Sequence, residues 1–341
     1  MRDTVTLSKH GLRLISAIAL FGFVALAAQA QTAPVVMKLS TATMNDSVHQ
    51  WMKVYAALVD KNSKGRIKAE IYPASQLGTI PRTIEGVQFG SIQAVGAPPE
   101  FFAGIDPRFE VLGAPGLFKD LGHATRTFQD PEFNKAFLSL GANKGLKGIG
   151  FTVSGPAVIV TRVPVHKLAD LEGLKVRVLA SPQQMEQMRR LKVAPVPMTL
   201  GDVIPAMQQG SIDGIMASAA VCTAMRCYDA AKYIYETNHA IVSVLIVVSK
   251  KWFDALPPDL QKAVSDAGET ASKETYQWAI DFSNAQAQAW VKAGGEITKP
   301  TAAEQAQLTK VMLPIGAEVT AKKPEEKELY ELLLKAARRN E

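Results

Sequence analysis

Residues 171–218 constrain the fold more than any other part of this 341-residue chain. The segment predicts a strand (VRVL), a helix capped by Ser181, a short extended piece (APVPM), a second helix ending at Gly210, and a third strand (SIDGIMAS). Helices that alternate with short apolar strands indicate a mostly parallel sheet, whose ligands lie at the carboxyl ends of the strands. Arg177 lies near such an end and is the first candidate binding residue.

Part of this pattern occurs twice. Residues 83–95 and 203–216 both contain a helix, a terminating glycine and then Ser-Ile at the start of a strand. A helix followed by glycine and a strand is common, so the match alone does not separate a true repeat from coincidence. We interpret the two segments as equivalent α/β units, which predicts two similar lobes with a ligand cleft between them.

The bulk properties fit a two-domain globular protein. The length exceeds that of one average domain, and 47% of the residues are apolar. The net charge of +6 comes from 38 basic and 32 acidic residues, and the basic ones are scattered. Without a concentrated basic stripe, we expect no nucleic-acid partner.

The N-terminus resembles a cleavable export signal. Arg2, Lys9 and Arg13 precede an apolar run of about 15 residues, and Ala28-Gln29-Ala30 fits a small-x-small cleavage site. The alternative is a permanent membrane anchor, but the run is shorter than the ~20 residues that span a bilayer. We therefore predict a signal peptide over residues 1–30 and a periplasmic protein.

The only two cysteines are Cys222 and Cys227. In an oxidising compartment they could close a small disulfide loop, but a continuous helix would keep them apart, so bridging requires a local turn. The sequence leaves both states open. Two cysteines without nearby histidines make a poor zinc site.

Two long elements define the predicted domain organisation. The extended run 147–164 is suited to crossing between lobes. Residues 257–295 keep helical periodicity over a length greater than one lobe, so we expect this helix to bridge both lobes. A short helix is expected at the C-terminus. The predicted division is residues 31–154 with 243–282 for the first lobe, and 155–242 with 283–341 for the second.

Recognisable catalytic motifs are missing from the sequence. It contains no GxSxG elbow, HExxH pair or phosphate-type glycine loop, and its five histidines are scattered. The sequence therefore predicts a protein that is not an enzyme and that carries neither a cofactor nor a metal.

Several separate motifs resemble one known family. GLKVRV, PVPM and AMQQGSIDG occur in order, with KGRIKAEIYPASQLG and LGAPGLFKD before them and TNHAIVSVLIVVSKKWFDALPPDLQKAV after them. Together they resemble the DctP-type solute receptors of tripartite ATP-independent periplasmic (TRAP) transporters. The similarity covers the chain from Val35 to the end of the long helix.

This resemblance implies a two-lobed α/β periplasmic binding protein of the Venus-flytrap type, with mixed sheets, crossing strands and a long helix that spans both lobes. Most members bind organic acids in the cleft, close around them and dock on a membrane permease. The family's K-x-R-V arginine corresponds to Arg177, which would bind a ligand carboxylate through two parallel hydrogen bonds. The alternative is an exposed strand arginine paired with a nearby acid. Asn238 and His239 match a family pair that we assign to hinge support.

Three polar positions of the family are alanine here: Ala157 replaces a second arginine, Ala217 a frequent asparagine, and Ala180 follows the strand arginine. Because a hydroxylated ligand would lose its hydrogen bonds on entering such a pocket, we predict a relatively apolar monocarboxylate.

The remaining candidates lie at strand ends or match family turns, and each has a structural alternative. Polar residues after the first strand could cap a helix, Gln76 could hold a turn, and methionines are commonly core residues. These ligand-binding candidates are Thr43, Met44, Asn45, Gln76, Gly96, Ala97, Ser154, Met198, Leu200, Met216 and Ala217.

Two other functions stay open at this point. An exported enzyme acting on a small acid would show turnover, and a ligand sensor would dock on a membrane receptor instead of a permease. We expect a monomer whose partners are a small organic acid and the membrane subunits of a TRAP permease.

Overall fold

A computed structural model describes residues 33–341. The predicted signal peptide, residues 1–30, lies outside this range. Within it, no helix has both the length and the apolar character needed to cross a bilayer.

Residues 33–161 contain four strands and four α-helices. The expected strand–helix alternation appears with boundaries close to those predicted, and Gly90 ends the second helix in the left-handed conformation. The elements are β1 (Val35–Thr41), α1 (Ser47–Asn62), β2 (Ile67–Tyr72), α2 (Ile80–Phe89), β3 (Ala94–Ala97), α3 (Leu121–Phe128), α4 (Pro131–Leu138) and β4 (Leu146–Thr161).

The second half repeats this alternation and then becomes helical. The elements are β5 (Lys175–Val178), α5 (Pro182–Arg190), β6 (Ala194–Pro197), α6 (Val203–Gln208), β7 (Gly214–Ser218), α7 (Ala219–Ala224), β8 (Tyr233–Tyr235), β9 (Ile241–Ser249), α8 (Lys250–Asp254), α9 (Pro258–Lys292), β10 (Glu296–Thr298), α10 (Ala302–Met312), α11 (Ile315–Thr320) and α12 (Pro324–Arg339).

The sheet order shows the two-lobed architecture directly. The strands follow the order β2-β1-β3-β9-β4-β7-β5-β6, and β8 joins β4 at the side with β10. In each half a parallel trio (β2-β1-β3, and β6-β5-β7) ends against an antiparallel crossing strand. The repeated segments supply β3 and β7, which occupy equivalent places in the two trios. The proline-containing β6 lies at the edge of the sheet, where a missing N–H costs no ladder hydrogen bond.

Strands β4 and β9 pass from one lobe to the other side by side. All of β9 pairs antiparallel with residues 146–156 of β4, with register shifts between Gly148 and Gly150 and between Val153 and Gly155. Gly155 has φ +139°, and a Cβ there would lie 2.5 Å from the Ser283 hydroxyl of α9. The irregularity at Ser154 therefore falls where the strands cross between lobes.

Helix α9 packs along both lobes, as its length predicted. Its first half, including Leu260, Val264 and Ala271, shares a buried cluster with Trp51 of α1. Near its other end, Trp290 belongs to a cluster of the second lobe. One rigid element thus contacts both cores.

The C-terminal region differs from the expectation of one short helix, because α10, α11 and α12 follow one another. Leu329 and Leu333 of α12 pack in the same buried cluster as Phe102 and Phe133. This packing favours assigning residues 324–339 to the first lobe, against the predicted division. The other lobe boundaries stay predictions.

Candidate functional site

A cavity lies between the lobes, where strand ends meet the crossing strands. It encloses about 70 Å³, room for several water molecules. Twelve of its nineteen lining residues are apolar, one is glycine and six are polar. The lining consists of Thr41, Ala42, Thr43, Asp46, Val48, Ile80, Gly96, Pro98, Phe101, Ser154, Arg177, Leu179, Gln184, Leu200, Met216, Ala217, Val221, Val242 and Val244.

Arg177 is the cation of this cavity. It lies on β5 between β6 and β7, and only 3% of it is exposed. Its Nε donates to the Met198 carbonyl at 3.0 Å, while its buried Nη2 has no hydrogen-bond partner. No acidic side chain among residues 33–341 forms an ion pair with it, so the alternative of an exposed, acid-paired arginine is wrong. Burial lowers the pKa of Arg177 to about 10, so it remains charged at neutral pH.

The first-lobe wall carries a buried carboxyl group. Asp46 is the N-cap of α1 and accepts a hydrogen bond from the His49 amide at 3.1 Å. The Thr43 hydroxyl donates to the same carboxylate. Burial raises the pKa of Asp46 above its usual value. Both oxygens of this carboxylate accept hydrogen bonds from residues of its own lobe, which leaves Arg177 as the charged residue of the lining that still has an unpartnered buried nitrogen.

Gln184 and Ser154 complete the polar part of the lining. Gln184 accepts from the Leu179 amide at 2.9 Å and donates to Glu100 of the first lobe at 3.3 Å. It therefore connects the cavity wall of one lobe to the other. Ser154 is 3% exposed and lies at the register shift between the crossing strands.

Behind the cavity, α5 packs its polar face against first-lobe residues 107–113. Ser181 donates to the side-chain carboxyl group of Glu110 at 2.6 Å, and Gln183 donates to the backbone carbonyl of Glu110 at 3.3 Å. Gln187 donates to the Gly113 carbonyl at 2.8 Å. The interface is thus a set of buried polar contacts between the lobes.

Seven of the twelve predicted site residues line the cavity: Arg177, Thr43, Gly96, Ser154, Leu200, Met216 and Ala217.

The other five predicted residues lie outside the cavity lining. Met44 is 47% exposed. The backbone N–H of Asn45 donates to His49 Nδ1 at 3.0 Å, just before the start of α1. Gln76 is exposed and lies in a turn, where its backbone N–H donates to the Pro73 carbonyl. Ala97 faces the first-lobe core, opposite Gly96 on the strand. Met198 contributes only its carbonyl, to Arg177.

The prediction missed several lining residues. Asp46 could have been found from its place just before an amphipathic helix, where Asp is a preferred cap. Val242 and Val244 alternate along β9, but the sequence alone cannot say which face of a crossing strand meets the cleft. Gln184 lies on helix α5, where no strand-end pattern marks it as a site residue.

A larger groove of about 620 Å³ lies on the first lobe between α4, β4 and α9. Its lining comes from residues 129–150 and 265–276 of that lobe, so movement between the lobes would not enclose a ligand there. The interlobe cavity is therefore the better candidate site. Among the described residues, no group of three or more His, Cys, Asp or Glu side chains could hold a metal ion.

Comparison with known proteins agrees with this architecture. Residues 39–323 match the family of bacterial extracellular solute-binding proteins, family 7 (DctP). The 2,3-diketo-L-gulonate-binding periplasmic protein YiaO of Escherichia coli is 30% identical over 67% of this chain and 70% of its own length. The C4-dicarboxylate-binding periplasmic protein DctP of Rhodobacter capsulatus is 28% identical over 86% and 89%.

The fold also matches solved structures. A TRAP periplasmic solute-binding protein from Desulfovibrio salexigens with bound orotic acid superposes with a TM-score of 0.84 at 24% identity. The match covers 90% of this chain and 99% of that one.

Proposed function

The chain belongs to the DctP family of bacterial extracellular solute-binding proteins, the solute receptors of TRAP transporters, and from this premise we propose how it binds its ligand. An organic acid enters the cavity between the lobes and places its carboxylate on Arg177. The lobes close over it, and the loaded receptor delivers the acid to a membrane permease. We further propose that the chain is exported and that residues 1–30 are removed.

One observation carries the assignment of Arg177: a buried guanidinium lines the cavity with a single backbone hydrogen bond, no acidic partner and one buried unpartnered nitrogen. A buried charge without compensation is costly. A bound carboxylate would supply the missing charge and accept from both terminal nitrogens in the planar geometry that arginine favours. The site therefore has the electrostatic character of an anion receptor.

The lining supports a small and relatively apolar monocarboxylate. Most of the wall is aliphatic or aromatic, with Phe101, Val242 and Val244 among its members. The position where the family often has asparagine is Ala217, and the place of the family's second arginine is Ala157, which is buried outside the lining. Hydroxyl groups would lose hydrogen bonds to water against this wall.

The names of two similar proteins give different acids with which the proposed ligand class can be compared. The Escherichia coli relative is named for 2,3-diketo-L-gulonate, a polar acid, whereas the Desulfovibrio salexigens structure contains orotic acid, a planar aromatic one. Ala217 lines the cavity where the family often has asparagine, which favours an acid with fewer hydroxyl groups than 2,3-diketo-L-gulonate.

A thermal-shift screen tests the function. The protein is mixed with short-chain and branched monocarboxylates, aromatic carboxylates and sugar acids, and a true ligand raises the melting temperature by mass action. Arg177→Ala should lose that rise. Arg162→Ala is the matched control, because Arg162 pairs with Asp213 away from the cavity.

Two results would count against the proposal. A rise that persists unchanged in Arg177→Ala contradicts the assigned role of Arg177. Tightest binding of a polyhydroxy acid, measured by calorimetry, contradicts the apolar ligand class but leaves the receptor function intact. Turnover of the ligand during the measurement would favour an enzyme instead of a receptor.

A further inference from the structure

The two cysteines are buried in one cluster of the second lobe, together with the cavity-lining Ala217. Both Cys222 and Cys227 are free thiols with no exposed surface, and both belong to the buried cluster that contains Ala217 and Trp290. The pair therefore belongs to the structure that supports the cavity wall.

A local turn brings the two residues together. Helix α7 ends at Ala224, and Arg226 adopts the left-handed conformation with φ +57°. The chain reverses there, and Cys227 begins a short 3-10 helix over residues 227–229. Non-glycine residues adopt this conformation rarely, and its presence removes the continuous helix that would have kept cysteines five residues apart from meeting.

The turn places both thiols in one buried cluster. The contact with Cys227 is the largest cause that raises the pKa of the Cys222 thiol, followed by burial. A thiol held neutral and buried reacts slowly once the protein has folded. Any bond between the two sulfurs is therefore made while the chain folds, before this region closes.

We propose that Cys222 and Cys227 form an intrachain disulfide in the mature protein, which fastens the turn after α7 beneath the ligand cavity. The inference rests on the export proposed above, because disulfides persist in oxidising compartments. Val221, next to Cys222, lines the cavity, so the bond would stiffen that wall.

The chemistry is a thiol–disulfide exchange with a small or protein disulfide as the oxidant. The thiolate of one cysteine attacks a sulfur of that reagent, forms a mixed disulfide and releases one thiolate. The second cysteine then attacks the sulfur of the first, which closes the bond and releases the other thiolate. Two protein thiols lose two electrons and two protons, and one disulfide reagent is reduced to two thiols.

The test begins with the protein in its own compartment. Cells expressing the full chain are fractionated, the exported fraction is quenched in acid, and the denatured protein is alkylated without reduction. We expect both cysteines to resist alkylation, and the peptide containing them to be about 2 Da lighter than after reduction. Alkylation of both cysteines in the exported protein would overturn the proposal.

A second arm removes the dependence on export. Purified protein is reduced, unfolded and refolded in a mixture of oxidised and reduced glutathione, and should regain the bond. Failure to close it there overturns the inference wherever the protein resides. If the bond closes in the refolding arm but the cellular protein is cytoplasmic and reduced, the proposed export is wrong, and with it the bond in the cell.

Stability provides the functional readout. We expect reductant to lower the melting temperature of the disulfide form by a few degrees. The double variant Cys222→Ala/Cys227→Ala is the control and should not respond to reductant. Because Arg177 remains, the reduced protein should still gain stability from ligand, which separates this inference from the ligand-binding proposal.

Discussion

Arg177 donates its Nε to the carbonyl of Met198 at 3.0 Å, and this backbone contact fixes the guanidinium at the floor of the interlobe cavity. The strand pairing explains the arrangement. Arg177 on β5 lies opposite Val196 on the neighbouring strand β6, and Met198 directly follows the end of β6. The bond leaves the terminal nitrogens available, and Nη2 has no partner.

Replacing Arg177 with methionine should therefore stabilise the empty protein while removing ligand binding. Methionine fills a similar volume without charge, so we expect the free energy of unfolding to rise by about 1–4 kcal/mol. Urea unfolding measures this gain, and the thermal-shift screen should show no response to acids. The control Arg162→Met loses the ion pair with Asp213 and should keep its ligand response. A less stable Arg177→Met variant would mean that the buried charge is compensated in the empty protein.

Ala217→Asn should shift the ligand preference toward hydroxylated acids. Ala217 lines the cavity on β7, and an asparagine there adds a hydrogen-bond donor and acceptor to an apolar wall. One hydrogen bond is worth about 1 kcal/mol, so we expect calorimetry to show about a fivefold gain for sugar acids over apolar acids. Ala180→Asn is the control, because Ala180 is exposed and outside the lining. An unchanged ratio would indicate that Ala217 does not meet the ligand.

The sequence predicted the elements of this fold well because each has a strong local signal. The amphipathic pattern of α1, the glycine after α2 and the prolines of β6 all set local structure by their own backbone preferences. Arg177 carries two sequence signals, its place near a strand end in a parallel sheet and its match to the family's K-x-R-V arginine, and its role in ligand binding stays a prediction.

Other features depend on contacts distant in sequence and could not be predicted. Phe101 and Val244 reach the cavity only through the packing of separate segments. Leu333 packs in the same buried first-lobe cluster as residues that are far from it in sequence, such as Phe102, and no local pattern predicts this packing. Gln76 illustrates the opposite error, because a family turn suggested a site residue where the structure has an exposed turn.

We expect Glu110 to make the free energy of unfolding depend on pH. The pKa of this carboxyl group is raised from 4.5 to about 8, chiefly by burial and also by the nearby Glu100 and Glu326. The hydrogen bonds from Ser181 and Gln183 lower the pKa of Glu110, but by less than burial raises it. Glu326 is itself paired with Lys323. The folded protein therefore binds a proton that the unfolded chain has released above pH 4.5.

Because the pKa of Glu110 is raised in the folded protein, its contribution to the free energy of unfolding is fully present below about pH 4.5. That contribution is lost as the pH rises toward 8. Glu110→Gln keeps the size and a hydrogen-bonding group without the charge. We expect it to be more stable than the native protein at pH 8 by a few kcal/mol, with little difference near pH 4.5. Urea unfolding at a series of pH values measures this. A constant difference at every pH would mean that Glu110 keeps its charge in the folded state.

Gly268→Ala should destabilise the contact between the long helix and the crossing strand. In a helix interior alanine is normally about 1 kcal/mol better than glycine. At this place, however, a Cβ would lie 2.3 Å from the carbonyl oxygen of Ile149, a backbone atom of β4. The helix would have to move away from the strand that crosses between the lobes.

We expect a net loss of about 1–3 kcal/mol in the free energy of unfolding, since overpacking against backbone outweighs helix propensity. Gly104→Ala is the control, because a Cβ there has no neighbour within 4 Å, and it should change stability little. Because α9 contacts both lobes, its displacement should also weaken ligand binding measured by calorimetry. A stabilised Gly268→Ala variant would show that the helix can separate from β4 at no cost, and the rigid bridge between the lobes would then be wrong.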